Sequence, residues 1–66
     1  SGGQVLTSRE ALVLKHLATG KPAAEIAAEL DLKSVTVNFV VKTLCRKFDV
    51  ATADDAVAHA RKAGLL

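Results

Sequence analysis

The chain has 66 residues, half of them hydrophobic, with two phenylalanines, one cysteine and a formal net charge of +2. That length allows one domain and leaves little room for a deep catalytic pocket. A single cysteine excludes an internal disulfide, no Cys/His cluster has zinc spacing, and the uncharged run over residues 34–41 falls far short of a membrane span.

Alanine, leucine and valine supply 12, 9 and 8 of the hydrophobic residues, so the core is expected to be small and aliphatic. A domain of this size buries only about 60% of the surface its unfolded chain exposes. No basic stretch leads into an apolar one, so no signal peptide is expected, and the domain reads as cytoplasmic. Ser1, Gly2 and Gly3 read as a tag or linker remnant, with the domain proper over residues 4–66.

The first helix is expected over about 7–19. Thr7-Ser8-Arg9-Glu10 has the form of a capping box, in which the threonine hydroxyl and the glutamate carboxylate each satisfy a backbone N–H. Val13, Leu14, Leu17 and Ala18 then recur at helical spacing, and Gly20 supplies a terminator. A second helix is expected over 22–30. Pro22 stands at or beside its first position, Glu25 complements the positive end of its dipole, and Ile26, Ala27 and Leu30 form its buried stripe.

The third helix is expected over 34–48. Its β-branched run would also suit a strand. Val37, Val40, Val41, Leu44 and Phe48 fall at i, i+3, i+4, i+7 and i+11, however, and strict alternation fails. The opposite face carries Val35, Asn38, Phe39, Lys42 and Arg46. A fourth helix is expected over 52–63, with Thr52 as its cap, Asp54 and Asp55 in the first turn, Arg61 and Lys62 in the last, and Gly64 beyond. Ala56, Val57 and Ala60 are expected to face inward. The fold class is therefore all-α: a small four-helix domain.

Charge is unevenly placed. Residues 1–32 carry three basic and four acidic side chains, a net of −1; residues 48–60 carry three acids; Arg61 and Lys62 add two positive charges. Residues 33–47 carry Lys33, Lys42, Arg46 and Lys47 and no acid, a net of +4. Such a focus is expected of an element that meets an anionic surface, though a solvated helix face can also produce it. A short helix, a tight turn and a longer amphipathic helix are the parts of a helix-turn-helix, whose later helix enters the major groove. The charge focus falls on that later helix.

At this point the sequence resembles the LuxR/GerE-type, NarL-like helix-turn-helix domains of quorum-sensing regulators and response regulators. Leu6-Thr7-x-Arg9-Glu10, Ala18-x-Gly20, Glu25-Ile26-Ala27-x-x-Leu30, Thr36-Val37, Lys47-Phe48 and Ala56-Val57 stand in the family's order and spacing. The resemblance covers residues 6–66. It implies sequence-specific binding of double-stranded DNA by the C-terminal output domain of a bacterial transcriptional regulator. It also implies an upstream sensory or receiver domain and RNA polymerase as further partners. The residues themselves offer no nucleophile–base pair, phosphate loop or metal cluster, so no catalysis, metal or cofactor is expected.

Carried over residue by residue, the resemblance places Asn38, Phe39 and Lys42 against base edges. Asn can pair with adenine, Lys can donate to guanine, and Phe can pack on a thymine methyl. Lys33, Ser34, Thr36, Arg46 and Lys47 then read as phosphate contacts, which fix register. The family often dimerises through its fourth helix, which here offers Ala53, Ala56, Val57 and Ala60 for a homodimer formed mainly on DNA; the alternative is that this face packs on the first helix.

The chain also departs from the pattern. Pro22 stands where the family has Ser or Thr, Ala23 and Ala24 replace Asn and Lys, and Lys33 replaces the usual capping Ser, leaving Ser34 to cap. Asn38, Val40 and Ala53 replace a basic residue, His and Arg. These changes make the surface less basic and support an alternative: the same scaffold reused as a protein-interaction module. Phe39 is either a core aromatic or an outward contact, and as an outward contact it is the residue on which the DNA-binding and protein-interaction readings diverge. His16 and His59 are expected to be partly exposed helix residues, Cys45 a partly buried thiol, and Leu12 an apolar residue off the first helix's stripe.

Overall fold

Thr7 Oγ1 accepts from the Glu10 N–H at 3.1 Å, and the Thr7 N–H donates to Glu10 Oε1 at 2.9 Å. This reciprocal cap starts α1, Ser8–Ala18, in agreement with the capping-box reading. The structure, a computed structural model, describes residues 5–66; the segment read as a tag or linker remnant lies outside the described residues. Three further helices follow: α2 over Ala23–Leu30, α3 over Ser34–Phe48 and α4 over Ala53–Lys62. Among the described residues there is no strand, and no helix is long and apolar enough to cross a membrane.

The terminators divide into two kinds. Gly20 and Gly64 adopt φ of +85° and +76° after α1 and α4, where glycine carries no Cβ penalty. After α2 and α3 the same left-handed position is filled by Asp31 and Asp49, both at φ 56°. Each is followed by a six-to-one closure: Leu32 N–H donates to the Ala27 carbonyl at 2.8 Å, and Val50 N–H to the Cys45 carbonyl at 2.9 Å. Aspartate tolerates this conformation better than β-branched residues do. The expected helix ends at 30 and 48 hold, and the structure adds the left-handed backbone of the aspartate that follows each.

The helix starts also differ in kind. Thr52 Oγ1 accepts from the Asp55 N–H at 3.1 Å and caps α4. Pro22 and Lys33 precede α2 and α3 with extended backbone and provide no side-chain cap. Ser34 does not cap α3 as expected; it lies one position inside, as the first helical residue.

The core consists of Val13, Leu14, Ile26, Ala27, Val37, Val40, Leu44, Phe48, Ala56 and Ala60. Its large members all come from the stripes read in the sequence. Fully burying one Val, Leu, Ile or Phe is worth about 1.5–3 kcal/mol. α3 packs against all three other helices, and α1 also packs against α2 and α4. Because α3 is central, its inner face closes the core and its outer face is left uncovered.

Two polar links brace this arrangement. Lys47 Nζ, in the last turn of α3, lies 2.7 Å from Glu10 Oε1 on α1 and donates to the Val5 carbonyl at 3.0 Å. Lys21 Nζ, in the α1–α2 turn, donates to Glu29 Oε1 at 2.7 Å and lies 3.3 Å from His16 Nδ1. Arg61 adds a hydrogen bond at 3.2 Å to the Ala18 carbonyl at the end of α1.

Candidate nucleic-acid interface

The periodicity that turns Val37, Val40, Leu44 and Phe48 inward turns Val35, Asn38, Phe39, Lys42 and Arg46 outward, and all five are exposed. Phe39 is 65% exposed, which excludes it from the core and decides the choice left open by the sequence. Val35, one turn earlier, is 69% exposed. With Asn38 and Lys42 these residues line a shallow hollow of about 210 Å³ on the outer face of α3.

A second hollow, of about 250 Å³, opens between the α1–α2 turn, α3 and the start of α4. Its walls include Pro22, Ala23, Val41, Ala53 and Val57, and Asn38 lines it too. Asn38 therefore stands where the outer face of α3 meets this second hollow. This hollow is not legible along the chain, because residues from the α1–α2 turn, α3 and the start of α4 form it together.

The cations of residues 33–47 differ in availability. Lys33, Lys42 and Arg46 are exposed, and none forms an ion pair among the described residues. Ser34 is exposed beside Lys33, and Thr36 is half-buried. Lys47 is half-buried, and its charge is already answered by Glu10. The +4 of this segment is thus three free cations and one internal partner, a distinction the charge count could not make.

The hydrogen bond from Lys47 is the main reason the Glu10 carboxyl titrates below the ordinary glutamate value; burial opposes the shift, and the Thr7 N–H assists it. The Glu29 carboxyl is lowered in the same direction, chiefly by the hydrogen bond from Lys21.

The fourth helix corrects part of the dimer expectation. Ala56 and Ala60 have no solvent exposure: they pack on the core and are closed to a partner in this fold. Their lack of bulk lets α4 approach α1 and α3. Ala53 and Val57 are half-buried and border the second hollow, so only these two of the four candidate residues retain open surface. His59 is exposed and stacks on Phe48, with ring centroids 4.6 Å apart. Cys45 is half-buried, and Leu12 is 48% exposed on α1.

The family model for bacterial regulatory proteins of the luxR family matches residues 4–60. The chain is 39% identical over 61 residues to the quorum-sensing regulator RhlR of Pseudomonas aeruginosa, covering 92% of this chain and 25% of RhlR. It is 37% identical over 59 residues to the transcriptional regulatory protein DesR of Bacillus subtilis, covering 89% of this chain and 30% of DesR. Among solved structures, the response regulator ChrA of a heme-sensing two-component system superposes with a TM-score of 0.92 at 27% identity, over 100% of this chain and 33% of ChrA. The chain thus spans about a quarter to a third of these relatives.

Proposed function

Because the chain belongs to the luxR family of bacterial regulatory proteins, we propose that it is a sequence-specific binder of double-stranded DNA, the output domain of a bacterial transcriptional regulator. The observation that carries this reading is the outer face of α3, which presents Asn38, Phe39 and Lys42 between unpaired cations. In this reading α3 lies in the major groove. Asn38 pairs with adenine, Lys42 donates to guanine, and Phe39 packs on a thymine methyl. Lys33, Ser34, Thr36 and Arg46 hold phosphates and set the register. Lys47 holds α3 to α1 and supports the interface from behind.

The two free cations placed on phosphates, Lys33 and Arg46, neutralise about two of them, so the slope of log affinity against log salt is about −1.8 per copy. One copy therefore binds weakly. Two copies on half-sites about one helical turn apart double the contacts, and the Ala53–Val57 edge of α4 is the surface proposed to join them. A sensory or receiver domain on the same polypeptide would supply the signal, and RNA polymerase is the proposed downstream partner. This role places the domain in the cytoplasm.

The test is fluorescence anisotropy with a random duplex pool at low and physiological salt. Enrichment of particular sequences with steep salt dependence is expected. No binding to any duplex at about 50 mM salt overturns the proposal, since phosphate contacts are strongest there.

The exposure of Val35 and Phe39 also favours a second reading, in which this face of α3 docks a protein partner. That reading prevails if duplex binding is absent and Phe39→Ala abolishes capture of a partner protein.

A further inference from the structure

Single exposed apolar residues are ordinary on protein surfaces. Val35 and Phe39 are not isolated from each other. They lie at i and i+4, on one face of α3, at 69% and 65% exposure, and line the same hollow. That hollow also contains the amide of Asn38 and the ammonium of Lys42, and the same stretch of chain carries the unpaired Lys33 and Arg46. An apolar peptide would leave these cations without partners. A DNA major groove answers both features: phosphates flank it, and its floor carries one apolar group, the C5 methyl of thymine. Cytosine methylated at C5 presents the same group from the same ring position.

Resting on the DNA-binding reading above, we propose that Val35 and Phe39 together form a methyl-reading site that takes two 5-methylpyrimidine edges, with Val35 a specificity-determining residue in its own right. Four residues of helix rise about 6 Å, between one and two steps of the roughly 3.4 Å base-pair stack. The two methyls therefore lie within three consecutive base pairs. Asn38 and Lys42 supply the polar pairing at the same steps, so the site reads shape and hydrogen bonds side by side.

The experiment uses the intact domain and a preferred duplex selected from a random pool. Each thymine is replaced in turn by deoxyuridine, which removes only the methyl. Two replacements within three base pairs are expected to weaken binding about fourfold each, the factor set by one buried methyl group. The remaining replacements are expected to be neutral. Val35→Ser is expected to abolish sensitivity at one of the two positions and Phe39→Ser at the other, with the salt slope unchanged because no cation is touched. At those positions a 5-methylcytosine·guanine pair is expected to bind about fourfold better than unmethylated cytosine·guanine, which separates the methyl from the rest of the thymine edge.

A duplex bound equally well with every thymine replaced by deoxyuridine overturns the methyl-reading site and leaves DNA binding standing. Failure to select any duplex overturns both. The deoxyuridine arm uses the unaltered protein, so its result does not depend on whether a variant folds.

Discussion

Lys47 Nζ and Glu10 Oε1 lie 2.7 Å apart although 37 residues separate them in the chain. The same carboxylate accepts from the Thr7 N–H, so one side chain both caps α1 and anchors the end of α3. The link braces the end of α3 against α1, beside the buried stripe that turns the outer face of α3 away from the core. Glu10→Gln keeps a capping acceptor and loses the charge partner; it is expected to destabilise the fold by about 1 kcal/mol, a value kept low because Lys47 is partly solvated. Lys47→Met is expected to do the same. Urea unfolding of each variant checks this.

The pair also sets an acid limb. The folded Glu10 carboxyl titrates below its ordinary value of about 4.5, mainly through the Lys47 hydrogen bond. A lowered folded value means that the unfolded chain binds the proton more readily. The contribution is therefore complete above about pH 4.5 and is lost as pH falls through the lowered folded value. Thermal unfolding between pH 7 and pH 3 is expected to show a drop in stability that Glu10→Gln flattens. Glu29→Gln is expected to have a smaller effect, since the Lys21–Glu29 pair is more exposed.

The proposed base and phosphate contacts are separable by variant. Asn38→Ala and Lys42→Ala are expected to relax preference at one base pair each, by about 1–3 kcal/mol of discrimination. Arg46→Ala and Lys33→Ala are expected to weaken all duplexes alike and to reduce the salt slope by about one. Lys47→Ala is expected to lower the melting temperature while leaving that slope nearly unchanged. Anisotropy titrations over a salt series, with melting curves for the same proteins, distinguish the three patterns.

On α4 the two alanine positions and Val57 should behave differently. Ala56→Leu and Ala60→Leu insert volume into a filled core and are expected to cost about 1–3 kcal/mol each. Val57→Gln changes a half-buried position beside the second hollow; it is expected to leave the fold intact and to remove cooperativity on two half-sites. Melting curves and binding to single and paired half-sites measure the two effects.

Asp31 and Asp49 end helices at positive φ. Asp49→Gly is expected to change stability by less than about 0.5 kcal/mol, as relief of the left-handed strain offsets added freedom in the unfolded chain. Asp49→Val is expected to cost about 1–2 kcal/mol, because a β-branched side chain is poorly accommodated there. Chemical unfolding of both variants measures the difference.

Much of this molecule is legible in its sequence because the deciding interactions are local. The Thr7–Glu10 and Thr52–Asp55 caps span three residues, and the inner and outer stripes of α3 follow from a 3.6-residue period. The helix ends before Asp31 and Asp49 follow from the pattern along the chain, but the left-handed backbone of these two residues does not, because glycine and asparagine are the stronger signals for that conformation. The four helices, their inner stripes and the concentration of positive charge at 33–47 were all determined by neighbours along the chain.

Only the tertiary structure decided what each face meets. Lys47 is indistinguishable from Lys42 in a charge count until α1 brings Glu10 within 2.7 Å of it. Ala53, Ala56 and Ala60 are one residue type on one helix, yet two are sealed in the core and one borders an open groove. Phe39 carries the same hydrophobic signal as Phe48 and lies on the opposite side. Periodicity specifies that a helix has two faces; the packing of α3 among three other helices determines which of its side chains remain free to bind.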